Sequence, residues 1–277
     1  MKNFNRRSFL KKTTLSTASL YMATNLACSE ENEKTSSGGS YMGDFAAPKL
    51  ETIRIAIIGV GDRGYGHAKQ LASIKGTEIV AISDLHEDLV DRSVTACIEV
   101  GDGRHQNIAR YFGDENQWEK IFKEVKLDIA IIATNWNNHA KMAIESMKQG
   151  AHCFVEVPIA VTLKEMWEII NTSEQTQKHC MMMENVNYGR EELLYLNLCR
   201  KGIIGELLHA EAAYIHELRF QMEEQERGTG SWRTHHYAKR NGNLYPTHGL
   251  GPVAQYMNLS RGEDQFSTIV SFSSPAV

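Results

Sequence analysis

The chemically richest stretch of the chain is Asn-Gly-Asn-Leu-Tyr-Pro-Thr-His-Gly-Leu-Gly-Pro, residues 241–252. Tyr245, Thr247 and His248 can all exchange protons or hydrogen bonds, and Arg233, Lys239 and Arg240 stand just upstream. Glycines and prolines interrupt any helical or strand period, so turns are expected to hold this backbone. His248 suits a proton acceptor, because an ordinary histidine pKa of about 6.5 lies near working pH. Tyr245 would need its ordinary pKa of about 10 lowered by cations such as Lys239 or Arg240. The alternative is an ordered turn followed by a helix that the histidine caps.

A second signature lies upstream. Residues 53–60 read Ile-Arg-Ile-Ala-Ile-Ile-Gly-Val, a β-branched run expected as a buried strand. It passes into Gly59-Val60-Gly61-Asp62-Arg63-Gly64 and then a helix, Tyr65 to Ile74. In this spacing the first glycine makes a tight turn, the second admits a pyrophosphate to the backbone, and the third lets helix and strand pack closely. A second strand, Glu78 to Ser83, ends at Asp84, where an acid takes ribose hydroxyls and repels a 2′-phosphate. NAD is therefore expected rather than NADP, with Arg63 beside it.

Strands and helices must position these groups. Helices are expected over His86–Val100, Trp118–Lys123 and Ala140–Gln149, with a short strand at Tyr111-Phe112. Buried strands are expected at Leu127–Ala133, at 150–155 and at His179–Met183. They end in Thr134-Asn135-Trp136-Asn137-Asn138-His139, Glu156-Val157-Pro158 and Glu184-Asn185. A helix over Val161–Thr176 offers Leu163, Met166, Trp167, Ile169 and Ile170 as its apolar face. This alternation over 51–185 predicts an α/β fold, a doubly wound parallel sheet of the Rossmann type. Ligands bind at the carboxyl ends of such strands, which places Trp136 and His139 beside the nucleotide; His139 could instead simply begin a helix.

Residues 186–277 are expected to form an α+β substrate domain, apparently truncated. Its elements are a helix over Arg190–Lys201, strands at Leu207–Ile215 and Phe266–Phe272, an exposed charged connection from Arg219 to Gly230, and a helix over Gly251–Leu259. His209 and His216 are read as structural.

Composition narrows the classes. A chain of 277 residues, 42% hydrophobic and 23% charged, suits one large globular domain or two smaller ones. A formal charge of −4 gives no field for nucleic acid. The cysteines form no CxxC pair and the histidines no HExxH, so neither a disulfide framework nor a metal site is expected. Residues 1–28 read as an export leader: Arg6-Arg7 followed by Phe9-Leu10-Lys11 resembles a twin-arginine signal. Leu26-Ala27-Cys28 resembles a lipoprotein signal end, with Cys28 as the candidate lipid anchor. Residues 29–50 read as a disordered tether. The expected location is periplasmic or membrane-anchored.

The nucleotide fold, Asp84, the Thr134–His139 segment and Glu156-Val157-Pro158 resemble the Gfo/Idh/MocA oxidoreductase superfamily. Sugar dehydrogenases of that group carry a lysine where Val157 stands, so this chain departs from simple alcohol oxidation. Met183-Glu184-Asn185, Asn187–Glu191, His209–His216, Trp232-Arg233 and Lys239 through Arg261 are similar to the NAD-dependent α-N-acetylgalactosaminidases. The resemblance implies cofactor contacts at Gly59, Gly61, Asp62, Arg63, Gly64, Asp84, Trp136, Asn137, Asn138, His139, Glu156, Val157 and Asn185. It implies substrate contacts at Tyr214, Arg233, Tyr245, Pro246, Thr247 and His248, with Tyr245 and His248 catalytic. The implied reaction is glycoside hydrolysis by oxidation, elimination, hydration and reduction, an exception to the usual pair of carboxylates. The partner would be a glycan ending in N-acetylgalactosamine. A sugar dehydrogenase or a non-catalytic sugar-binding protein remains the alternative, and a homodimer stays open.

Overall fold

A computed structural model describes residues 40–240, 245–260 and 264–274. Arg6, Arg7, Cys28, the tether up to residue 39 and Asn241–Leu244 lie outside the described residues. Gly39–Val277 form one compact unit.

Its first half alternates strand and helix. The order is β1 (Ile53–Ile58), α1 (Asp62–Ser73), β2 (Thr77–Ser83), α2 (Glu87–Val100), β3 (Ala109–Tyr111), α3 (Trp118–Glu124), β4 (Ile129–Ile132), α4 (Trp136–Lys148), β5 (His152–Val155), α5 (Leu163–Thr176) and β6 (Cys180–Met182). The six strands lie in the order β3-β2-β1-β4-β5-β6, all parallel. This is the doubly wound order, whose ligand crevice opens at the carboxyl ends where the winding reverses, between β1 and β4.

Burial on both faces explains the near-continuous apolar strands. Successive side chains alternate between faces. Ala56 and Ile58 of β1, with Ala130 and Ile132 of β4, pack against Trp118, Ile121, Ala140, Ala143 and Met147. Ile55, Ile57, Ile79, Ile82 and Ile131 turn the other way, onto Ala68 and Ala72 of α1 and Val90, Val94 and Cys97 of α2. At the opposite end of the sheet, Arg54 clamps β1 to the start of β4. Its backbone N–H, Nε and Nη2 donate to the Asp128 carboxylate at 2.9, 3.1 and 2.8 Å. Burial works against the charged form of Asp128, but the Arg54 hydrogen bonds and charge outweigh it and hold that carboxyl below its usual range.

The β1–α1 turn requires glycine for two distinct reasons. Gly59 has φ +87°, and a Cβ there would come within 2.7 Å of the Ala133 backbone. A Cβ on Gly64 would collide with the Gly59 carbonyl oxygen and touch Ala133 Cβ at 3.4 Å. Gly61 differs, since a Cβ there would meet nothing within 4 Å.

The second half follows through a 3-10 turn (Asn185–Asn187), then α6 (Arg190–Arg200), α7 (Arg219–Met222), α8 (Thr229–Lys239) and α9 (Pro246–Tyr256). Several expectations need correction. Residues 207–215 and 266–272, expected as strands, pair with no described segment, and a strand exists only through a ladder to a neighbour. The connection after Arg219 carries α7 and the start of α8. In the stretch read as turn-held, the described part from Pro246 onward is helix: Pro246 occupies the first helical position, where its missing N–H costs nothing. Residues 136–139 likewise form the first turn of α4. The apolar face of α5 is also turned: Ile169 is buried, while Leu163, Met166, Trp167 and Ile170 are exposed.

Two stability tests follow. Gly64→Ala is expected to cost about 1–3 kcal/mol by overpacking, whereas Gly61→Ala should cost less than about 1 kcal/mol; thermal melts of both variants check the contrast. For Asp128, the folded pKa lies below the unfolded one. The pair therefore stabilises the fold above the unfolded value of about 3.9 and loses that contribution as pH falls through the folded value. In urea titrations, the advantage of the parent over Asp128→Asn should be full at neutral pH and shrink in acid.

Candidate functional site

A cleft of about 600 Å³ opens at the carboxyl edge of the sheet. One wall comes from the first half of the chain: Asp62, Arg63 and His67 on α1, with Asn185 from the turn after β6. Facing it are Tyr214, His216, Gln221, Arg233, Tyr245 and His248 from the second half.

The glycine turn that leads into the helix of this wall is suited to a dinucleotide. The open space over Gly61 leaves its backbone approachable just before the N-terminus of α1, where helix amides favour a phosphate. Asp84, just beyond the end of β2, accepts from Val60 N–H at 2.8 Å and His86 N–H at 3.1 Å. Both bonds fix its carboxylate beside the turn, and each oxygen keeps a lone pair for a ribose hydroxyl.

Glu156 follows β5 and lies against α1. His67 Nε2 donates to its Oε1 at 2.6 Å, Arg63 Nε lies 3.7 Å away, and Val157 N–H donates to Oε2 at 3.1 Å. Burial opposes its ionisation, but the His67 hydrogen bond and the charges of His67 and Arg63 outweigh it, so the carboxyl is held below its usual range.

The opposite wall is built around aromatic rings. Trp136 is buried, with Trp232, His236 and Tyr245 at ring distances of 5.1, 4.8 and 5.6 Å. The Arg233 guanidinium lies 5.4 Å from the Trp136 ring, 5.3 Å from Trp232 and 5.5 Å from Tyr245. Gln221 accepts from Arg233 Nη1 at 2.8 Å. Arg233 Nε and Thr247 Oγ1 are buried with no hydrogen-bond partner among the described residues; Arg233 lines the cleft, and Thr247 does not.

His248 stands in the first turn of α9. Tyr214 and Tyr245 pack on it at ring distances of 4.9 and 5.0 Å. Its Nδ1 meets both oxygens of Glu184, at 2.8 and 2.9 Å. Burial pushes the Tyr245 phenol well above its ordinary range, and Arg233 offsets this only in part. Burial also raises Tyr214. The cations expected to lower Tyr245, Lys239 and Arg240, are exposed; the guanidinium that faces its ring is that of Arg233.

The structure thus brings Asp62, Arg63, Asn185, Tyr214, Arg233, Tyr245 and His248 to one cleft. Trp136, His139 and Val157 lie outside its lining and are buried. His139 directs Nδ1 and Nε2 at the carbonyls of Pro158 and Thr134, at 2.7 and 3.0 Å. Asn137 and Pro246 are exposed, while Asn138 and Thr247 are half-buried. His216, read as structural, is exposed, lines the cleft and hydrogen-bonds Tyr214 at 2.8 Å. His209 pairs with Glu211 on the surface. Sequence reasoning assigned no role to His67 or Glu184. His67 follows Arg63 by one helical turn, a spacing that puts both on one face; Glu184 was marked only by its place at the carboxyl end of a strand, where ligands gather.

Residues 53–184 match the oxidoreductase family model with an NAD-binding Rossmann fold (GFO_IDH_MocA). Residues 188–277 match the C-terminal domain of glycosyl hydrolase 109. Glycosyl hydrolase family 109 protein 1 of Akkermansia muciniphila is 58% identical over 240 residues, which is 87% of this chain and 49% of that protein. An α-N-acetylgalactosaminidase of Shewanella oneidensis is 51% identical over 280 residues, covering 100% of this chain and 60% of that protein. The chain spans about half the length of the curated relatives it matches. Apo scyllo-inositol dehydrogenase from Lactobacillus casei superposes with a TM-score of 0.49 at 20% identity, over 56% of this chain and 43% of that one. With a turn and an acid suited to NAD in the first half and a matching C-terminal segment in the second, the chain belongs to glycosyl hydrolase family 109, built on the NAD-binding Rossmann domain of the Gfo/Idh/MocA oxidoreductases.

Proposed function

We propose that this protein is a glycosidase that removes terminal α-linked N-acetylgalactosamine by an NAD-dependent oxidation–elimination–hydration–reduction route. One observation carries the reading: Asp62 and Arg63 of the Gly59–Gly64 turn line the same cleft as Tyr214, Arg233, Tyr245 and His248. The name of the Shewanella relative supplies the sugar.

When bound, NAD supplies a reversible oxidation of a sugar carbinol and ends in the state in which it began. Asp84 and the Gly59–Gly64 turn would hold it, with Arg63 and Glu156 beside them. A ketone at sugar C3 acidifies the neighbouring C2 proton. His248 takes that proton, the C1–O bond breaks with loss of the aglycone, and a C1–C2 double bond forms. Water then adds at C1, and His248 returns a proton to C2. Tyr245 keeps its proton and serves as a hydrogen-bond donor. Arg233 and Tyr214 hold sugar hydroxyls or the acetamido group. Export by the twin-arginine route and lipidation at Cys28 belong to the same reading, supported by Arg6-Arg7 and Leu26-Ala27-Cys28.

Incubation with an aryl α-N-acetylgalactosaminide in D2O tests the route. Aglycone release with deuterium at C2 and no net change in the cofactor is the expected result. Reduced cofactor accumulating without aglycone would replace this reading with a sugar dehydrogenase. His248→Ala is expected to lower turnover by about 10²–10⁴-fold while NAD stays bound. Tyr245→Phe should retain more activity than His248→Ala, because the phenol is not the base. Gly61→Ala should weaken NAD binding, read by fluorescence titration, with no matching loss of melting temperature.

A further inference from the structure

We propose that Glu184 is the positioning residue of His248, holding the imidazole in the tautomer protonated at Nδ1 and leaving Nε2 as the proton-accepting nitrogen of the cleft. This rests on the reading of His248 as the group that takes the C2 proton.

The geometry is specific. Glu184 is 1% exposed, so its side chain is withdrawn from water. Its backbone N–H donates to the Met182 carbonyl at 2.9 Å, and its carboxylate accepts from Val186 N–H at 3.3 Å, which fixes both ends of the residue. His248 arrives from another element, the first turn of α9, which packs on the 3-10 turn. Both carboxylate oxygens lie within 2.9 Å of Nδ1. An ionised carboxylate can only accept, so with Glu184 ionised Nδ1 carries the hydrogen and Nε2 the lone pair. Proton uptake at Nε2 then forms an imidazolium directly against a fixed negative charge, with no reorganisation needed at that moment.

Position also separates this pair from simple packing. A buried carboxylate is costly to hold, and removing its partner strands the charge. The sequence places Glu184 at the sheet edge and His248 in the substrate wall, so the hydrogen bond links the two halves of the cleft through a titratable ring. Any shift of α9 relative to β6 would turn the imidazole away from its working orientation.

The test is Glu184→Gln, close to isosteric but able to donate to Nδ1 from its amide and carrying no charge. The expected result is a fall in kcat of about 10²–10⁴-fold, with KM and NAD affinity near those of the parent. Glu184→Asp should recover part of that loss. An independent readout needs no turnover: ¹⁵N NMR of histidine-labelled protein, with His248→Ala for assignment. The parent should show Nδ1–H at His248, and Glu184→Gln should shift it toward Nε2–H. An Nε2–H tautomer in the parent, or unchanged kcat in Glu184→Gln, would overturn the proposal. If Glu184→Gln does not fold, the parent tautomer decides. A parent that releases no aglycone would sink the glycosidase reading while leaving the tautomer measurement to judge the dyad on its own.

Discussion

The close approach of the β1–α1 turn to the end of β4 is the constraint on which the molecule depends. Gly64 lies against the Gly59 carbonyl, and both lie against Ala133. That contact sets how near α1 sits to the sheet. It thereby sets where Asp62, Arg63 and His67 emerge and how Glu156, following β5, meets them. It also leaves the backbone at Gly61 uncovered, so one turn provides both tight packing and a ligand face.

The second half is bound to that edge by rings rather than by strands. Trp136 begins α4 directly beyond β4, and Trp232, His236 and Tyr245 pack on it from α8 and α9. Edge and tilted ring contacts of this kind add to the area they bury. Their arrangement leaves Arg233 over three rings, where its charge is held by faces and by Gln221. The second wall of the cleft therefore takes its position from the first half of the chain, through a tryptophan that the cleft itself does not expose.

The parallel sheet was legible because its signals are local. Strands buried on both faces read as apolar runs, and the glycine spacing requires only neighbouring residues. The second half was less legible. Residues 207–215 carry strand-like composition, but strand identity depends on a partner elsewhere. Pro246 reads as a breaker until its place at the first helical position is known. Glu184 and His248 are far apart in sequence, and no period or spacing connects them. Asp62, Arg63, Glu156, Asn185, Tyr214, Arg233, Tyr245 and His248 were named in advance because they stand in motifs; His67 beside Glu156 and Glu184 beside His248 came only with the fold.

Val157 shows how one apolar side chain directs the chemistry. It is buried and packs with Trp136 and Tyr245. An ammonium at that position would lie beside the Tyr245 ring and favour its phenolate. With valine there, burial dominates and the phenol is pushed up, despite the Arg233 guanidinium 5.5 Å from its ring. A phenol so placed stays neutral, able to donate its O–H and to accept at its oxygen. The imidazole beside it faces the opposite situation, since a buried carboxylate waits at its Nδ1. Two neighbouring groups that both looked able to move a proton thus differ in their surroundings, the phenol buried among rings and the imidazole hydrogen-bonded at Nδ1 to a buried carboxyl.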